Sequence, residues 1–119
     1  MGTNYPEICR RICELDESVI GAWVIDFTAQ LVGRYEISSN PVPNLEREKV
    51  MLVQTVMMVG MMQKHEDMYG KVKKITVTYD HIESLLLPLL DDYILAIGCV
   101  KPCDIAKIIP QVEKMIRRE

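Results

Sequence analysis

Four cysteines are the side chains of this sequence best suited to chemistry. They form two pairs, Cys9 with Cys13 and Cys99 with Cys103, and three residues separate the members of each pair. Four thiolates can hold a structural zinc ion or form redox pairs, although common zinc sites use cysteines separated by only two residues. Cysteines four residues apart also share one face of a helix, and free cysteines are often buried as packing residues. The spacing favours packing, and a thiol-based zinc or redox sensor is the alternative.

The remaining reactive side chains do not form a familiar catalytic motif. The sequence contains neither G-x-x-x-x-G-K-[ST] nor G-x-G-x-x-G, so nucleotide binding of a familiar kind is not expected. Its two histidines, His65 and His81, lie in separate segments without the spacing of metal ligands. His81 has Asp80 and Ser84 nearby, but three residues of one hairpin cannot easily orient one another as a nucleophile set. We therefore predict no enzyme activity, no cofactor and no metal site.

The basic residues are explained better by solvation than by a ligand. Lys71, Lys73 and Lys74 cluster at the start of a predicted strand, where lysines keep a sheet edge from further pairing. Contact with phosphate or a membrane is the less favoured alternative. Arg34 and Arg47 could each act as an arginine finger, but nothing in the sequence singles out either one. Fourteen basic and seventeen acidic residues give a net charge of −3, which argues against nucleic-acid binding.

No segment of the sequence is predicted to target or cross a membrane. The first eighteen residues contain six charges and no apolar run, unlike a signal peptide. The longest apolar stretch, 50–62, contains Gln54 and Thr55 and is too short for a membrane span. We expect a cytoplasmic protein without membrane insertion. Its 119 residues, 49% of them hydrophobic, fit one domain over 1–119 with a real core.

Apolar periodicity predicts eight elements in the order α-β-β-α-β-β-β-α. Strands apolar on both faces belong at the centre of a sheet and alternating strands at its edges, which gives a five-stranded antiparallel sheet of order 2-1-5-4-3. Helices then cover both faces, in an α/β sandwich of the α+β class. Pro110 is expected to kink the last helix or begin a second one. The predicted strands are 19–27, 31–37, 71–79, 82–90 and 93–100, with a loop at 38–44 and a long helix at 45–68. A short amphipathic helix carries Ile8, Ile12 and Leu15, and Asn4 with Glu7 resembles a capping box at its start.

The long helix is more apolar than one small chain can cover. Ten Val, Leu and Met residues between positions 50 and 62 surround its axis on most sides. One side can lie on the sheet, but the rest would form an apolar patch larger than monomers usually expose. We therefore predict that a partner chain covers this helix, with burial under the chain's own loops as the alternative.

This order of elements resembles the roadblock family, which includes dynein light-chain roadblock proteins and the MglB proteins of prokaryotes. Related profilin-like and longin folds share the architecture. The residues that carry the resemblance are VIGAWVID at 19–26, the long middle helix, and YILAIG at 93–98 before the last helix. The resemblance covers nearly the whole chain. Two features depart from the family pattern: no glycine follows Asp26 in the first hairpin, and Pro110 lies in the last helix.

The resemblance implies a non-catalytic dimeric platform for a small Ras-like GTPase, which it regulates or anchors. Roadblock domains dimerise through the middle helix and the third strand, here 45–68 and 71–79, and so form a continuous two-chain sheet. The partner is then a second copy or a related roadblock chain. An interaction module of the same fold with a cytoskeletal or trafficking partner is the alternative. The interface residues expected on this basis are Val50, Val53, Met57, Met58, Met61, Ile75 and Val77.

Overall fold

A computed structural model describes residues 4–37, 45–89 and 92–117, so the predicted loop 38–44 lies outside the described residues. The five strands form one antiparallel sheet in the order β2-β1-β5-β4-β3, which confirms the predicted fold class and strand order. The elements are α1 (Tyr5–Cys13), β1 (Val19–Asp26), β2 (Leu31–Glu36), α2 (Leu45–Gln63), α3 (Glu66–Tyr69), β3 (Ile75–Thr78), β4 (Ile82–Pro88), β5 (Tyr93–Val100) and α4 (Ile105–Arg117).

Helices α1 and α4 cover one face of the sheet and build the larger core. Helix α1 begins at Tyr5, where the side chain of Asn4 accepts a hydrogen bond from the backbone N–H of Glu7 (3.1 Å). Apolar side chains of both helices pack on alternate residues of the central strands, as the two-residue period of a strand requires. Fully buried members of this core include Ile12, Ala22, Val24, Leu95, Ile97, Ile108 and Val112.

Helix α2 covers the opposite face of the sheet, where fewer side chains are buried than under α1 and α4. Val59 is the one fully buried α2 side chain among those described, and it packs with Leu86 and Ile94. Farther along this face, the Trp23 ring lies over Gly21 and Gly98. A Cβ atom on Gly21 would clash with the indole, so the aromatic ring can occupy this place only above a glycine.

The segment between α2 and β3 differs from the prediction of one helix to residue 68 and a strand from residue 71. Helix α2 ends at Gln63, a separate short helix α3 follows, and β3 begins only at Ile75. Gly70 closes α3 with φ +88°, a left-handed conformation that suits glycine. The Glu66 carboxylate then accepts a hydrogen bond from the backbone N–H of Val72 (2.8 Å). Residues 71–74 thus lie in a loop and not in a strand.

The first hairpin turns without the glycine that the family pattern would supply. Ala29 adopts the left-handed conformation instead, with φ +66°. The Asp26 carboxylate stabilises the turn, because its Oδ1 accepts hydrogen bonds from the N–H and hydroxyl of Thr28 (2.9 and 2.6 Å) and the N–H of Gln30 (3.0 Å). These bonds hold the pKa of Asp26 below its ordinary value, the hydroxyl of Thr28 being the main cause.

Helix α4 is continuous through Pro110, so the expectation that this proline could begin a second helix was wrong. Proline has no N–H and leaves the carbonyl four residues earlier, that of Ala106, without its helical partner. Pro110 and Ala106 are both exposed. Water can therefore satisfy this carbonyl, and the helix needs no break.

Candidate interaction surface

The outward side of α2 presents a broad apolar surface. All five α2 residues predicted from the sequence to lie in an interface are exposed, and their exposed fraction ranges from 37% for Met58 to 58% for Met57. Met51 and Met62 extend the same surface. Gly60 lies beside open space on this helix, since a Cβ atom built there would meet nothing within 4 Å. The five residues are Val50, Val53, Met57, Met58 and Met61; together with Met51 and Met62 they are called the α2 apolar face below.

Strand β3 lies at an edge of the sheet, next to this helix. It pairs with β4, and no strand of the described residues lies on its other side. Ile75 and Val77 are half-buried, and Ile75 packs against the same cluster as Val59. The two residues proposed on β3 therefore lie on the α2 side of the sheet, and Ile75 reaches the cluster that contains Val59.

The backbone of β3 offers hydrogen-bonding groups at its open edge. The N–H of Tyr79 bonds to the carbonyl of Ile82 (2.8 Å) and closes the turn to β4. Hydrogen-bonded and non-bonded pairs alternate along an antiparallel ladder. Val77 and Ile75 thus exchange bonds with β4, whereas the backbone N–H and C=O groups of Thr76 and Thr78 point towards the open edge. A second strand can pair there.

Ion pairs connect the first turns of α2 to β2, and a hydrogen bond extends the network to Trp23 on β1. One Arg34 nitrogen lies 2.9 Å from a Glu36 carboxylate oxygen and 3.0 Å from a Glu48 oxygen on α2. The indole N–H of Trp23 donates to the same Glu36 oxygen (2.8 Å). Arg34, considered from sequence as a possible arginine finger, is thus engaged by two carboxylates of its own chain, while Arg47 is exposed on α2. Sequence reasoning missed this network because it joins residues of three different elements.

The four cysteines lie in or beside the larger core. Cys9, Cys13 and Cys99 are buried and Cys103 is half-buried, and all four are free thiols. Burial raises the pKa of Cys9 and Cys99 to about 12 and that of Cys13 to about 11. Among the described residues, no three His, Cys, Asp or Glu side chains are grouped so that they could hold a metal ion. The burial of three of the four thiols agrees with their interpretation as packing residues.

A shallow groove of about 610 Å³ lies where β5 leads into α4. His81 and Cys103 line it, beside the ion pair between Lys101 and Glu83 (3.4 Å). Ser84, the third member of the set considered from sequence, lies on β4 opposite Val77 and Gly98. The groove lining does not include it.

An antiparallel sheet in this order, with two helices on one face and the long middle helix on the other, is the roadblock/LC7 fold. A Roadblock/LC7 domain from Streptomyces avermitilis is similar over 98% of this chain and 94% of its own, with a TM-score of 0.78 and 8% sequence identity. Myxococcus xanthus MglB is similar over 94% of this chain and 88% of its own, with a TM-score of 0.76 and 12% sequence identity. For the gliding protein MglB from Thermus thermophilus the values are 96% and 86% (TM-score 0.77, 10% identity).

The sequence itself matches no family model and no curated protein. At these identities the likeness to solved structures establishes the fold, and it confirms the predicted resemblance at that level. No helix among the described residues is long and apolar enough to cross a membrane.

Alkaline pH should destabilise the protein through its buried thiols. In the unfolded chain a thiol ionises near its ordinary pKa of 9.0, whereas Cys9 and Cys99 in the fold keep their protons until about pH 12. The unfolded state therefore releases protons first, and the free energy of unfolding falls as pH rises above about 9, by at most about 1.4 kcal/mol per pH unit for each thiol. Urea unfolding across this pH range measures the slope.

The double variant C9A/C99A isolates this thiol effect, because the slope with pH does not depend on the packing energy lost in the variant. We expect a shallower decline than in the wild-type protein. Identical slopes would contradict a role for these two thiols and would assign the decline to other groups.

Proposed function

We propose that the chain dimerises, with a second copy or a related roadblock chain, through the α2 apolar face and the open edge of β3. The observation that carries this proposal is the imbalance on α2, where one described side chain is fully buried and the α2 apolar face is exposed. Contiguous exposed apolar surface of this kind marks interaction sites. A strand paired with β3 would also occupy the backbone groups of Thr76 and Thr78.

The proposed role of this dimer is that of a non-catalytic cytoplasmic platform, one roadblock-like domain per chain over 1–119, for a small Ras-like GTPase. Support comes from the fold and from reactive side chains that are already engaged or buried within the chain. Arg34 is bound by two carboxylates of its own chain, and three of the four thiols are buried. Such a platform acts by positioning the residues of the GTPase. The free thiols agree with a reducing compartment.

Charge on the α2 apolar face should dissociate the dimer. In the double variant M57E/M61E two carboxylates would have to be buried without partners, so we expect dimerisation to weaken at least about a hundredfold. Light scattering across a dilution series measures this. Ala106→Glu is the control for an added surface charge, because it places one carboxylate at an exposed helical position on the opposite face of the sheet. A wild-type protein that is monomeric throughout, or a dimer unaffected by M57E/M61E, would contradict the proposed interface.

Proline at the open edge of β3 tests strand pairing separately. The N–H of Thr76 points away from β4, so Thr76→Pro removes a donor of the open edge and leaves the ladder inside the chain intact. We expect dimerisation to weaken at least about tenfold. Thr76→Val is the control, since it keeps both the N–H and the preference for strand. If the two variants dimerise equally and unfold at the same temperature, the edge of β3 is not part of the interface.

Binding to GTPases is the direct test of the platform. Immobilised protein should retain a small Ras-like GTPase of the source cell in one nucleotide state, GDP or a non-hydrolysable GTP analogue, more than in the other. The M57E/M61E variant should lose this binding and Ala106→Glu should keep it. A stable dimer that retains none of these GTPases in either state would contradict the platform while leaving the dimer intact. That outcome favours a cytoskeletal or trafficking partner.

A further inference from the structure

The segment 64–74, which joins α2 to β3 and includes α3, forms an exposed projection called the basic tip below. Nine of its eleven residues are exposed. Met68 and Tyr69 expose 69% and 80% of their surfaces, the largest fractions among the exposed large apolar side chains of the described residues. A Cβ atom on Gly70 would meet nothing within 4 Å. The tip is therefore open to solvent around Gly70, and its apolar side chains are directed outward.

Hydrogen bonds within the segment make the basic tip a defined structure. The carbonyl of His65 accepts bonds from the N–H groups of Met68 and Tyr69 (3.1 and 3.0 Å), and that of Glu66 accepts from Gly70 (2.9 Å). The Glu66 carboxylate accepts from the N–H of Val72 (2.8 Å). The two large apolar side chains are thus held at the end of a closed turn.

The outward charge of the basic tip is positive. The segment has four lysines, Lys64, Lys71, Lys73 and Lys74, against two carboxylates, so its net charge is +2 in a protein of net charge −3. The carboxylate of Glu66 is mostly covered and lies 3.8 Å from the amine of Lys71. In the part of the chain that the structure describes, Lys64, Lys73 and Lys74 form no ion pair.

We propose that the basic tip docks the protein on an anionic membrane surface, without any segment crossing the membrane. The lysines contact the negative headgroups, and Tyr69 and Met68 enter the boundary between headgroups and hydrocarbon. Lysines around an exposed aromatic and an exposed aliphatic side chain are the chemistry that such an interface attracts. The basic tip contains no residue of the α2 apolar face or of β3, so this proposal does not rest on the GTPase platform.

The shape of the tip favours a membrane over an acidic peptide. A peptide is usually held in a groove, or along a strand edge, where side chains enter pockets. The basic tip instead projects Tyr69 and Met68 outward from a turn, which suits a broad surface that these side chains can enter. Tyrosine has an apolar ring and a polar hydroxyl, and such side chains concentrate at membrane–water interfaces.

Sedimentation with mixed phosphatidylserine–phosphatidylcholine vesicles tests the proposal, with pure phosphatidylcholine vesicles as the neutral comparison. We expect binding to the anionic vesicles that weakens as salt is added. The double variant K73Q/K74Q should bind them about tenfold or more weakly, since each lysine near such a surface adds about one kilocalorie per mole. Its matched control is K107Q/K114Q, which removes two exposed lysines of α4 on the far side of the sheet.

The apolar part of the tip has its own variant, M68A/Y69A, which leaves the charge unchanged and should also weaken binding about tenfold. Light scattering and thermal unfolding check that all variants keep the oligomeric state and fold of the wild type. Equal binding to neutral and anionic vesicles, or equal loss in K73Q/K74Q and K107Q/K114Q, would overturn the proposal. So would tight binding to soluble polyglutamate without binding to vesicles, which would assign the tip to an acidic protein segment.

Discussion

The sheet is apolar on both faces, and its two faces are covered unequally. Two helices close one face and bury the side chains of both central strands, whereas a single helix lies on the other with Val59 as its one fully buried described side chain. Burial of apolar area supplies most of the stability of a small domain. The closed face therefore provides most of the core, and the thinly covered face leaves the α2 apolar face free for another molecule.

Specific contacts fix the position of α2 despite its small buried area. The helix is attached near its start, where Glu48 meets Arg34, and in its middle, where Val59 packs on Leu86 and Ile94. The same Arg34 contacts Glu36, which accepts the indole N–H of Trp23. Charge-assisted hydrogen bonds of this kind add geometric specificity. The helix thus keeps one orientation, and its outward side remains a defined surface.

Patterns within single elements predicted the architecture, and contacts between elements decided the parts that the patterns missed. The strand order followed from placing the doubly apolar strands 19–27 and 93–100 at the centre, the alternating strands at the edges, and short hairpin connections between neighbours. Nothing in the apolar pattern shows that α2 ends at Gln63, that β3 begins only at Ile75, or that the Glu66 carboxylate binds the Val72 N–H between them. The pairing of Arg34 with Glu48 likewise depends on how α2 crosses β2. The apolar outward side of α2 was predictable, because the helix has more apolar side chains than one small chain can bury.

The missing side chain at Gly60 gives the outer surface of α2 a local shape as well as an apolar character. Glycine inside a helix lowers its stability by about 1 kcal/mol relative to alanine. The space beside Gly60 is open, so a larger residue would fit without a clash inside the chain. Within the isolated chain this glycine therefore weakens the helix and permits no closer packing. In the proposed dimer, the missing side chain would let a second backbone approach more closely here than elsewhere along α2.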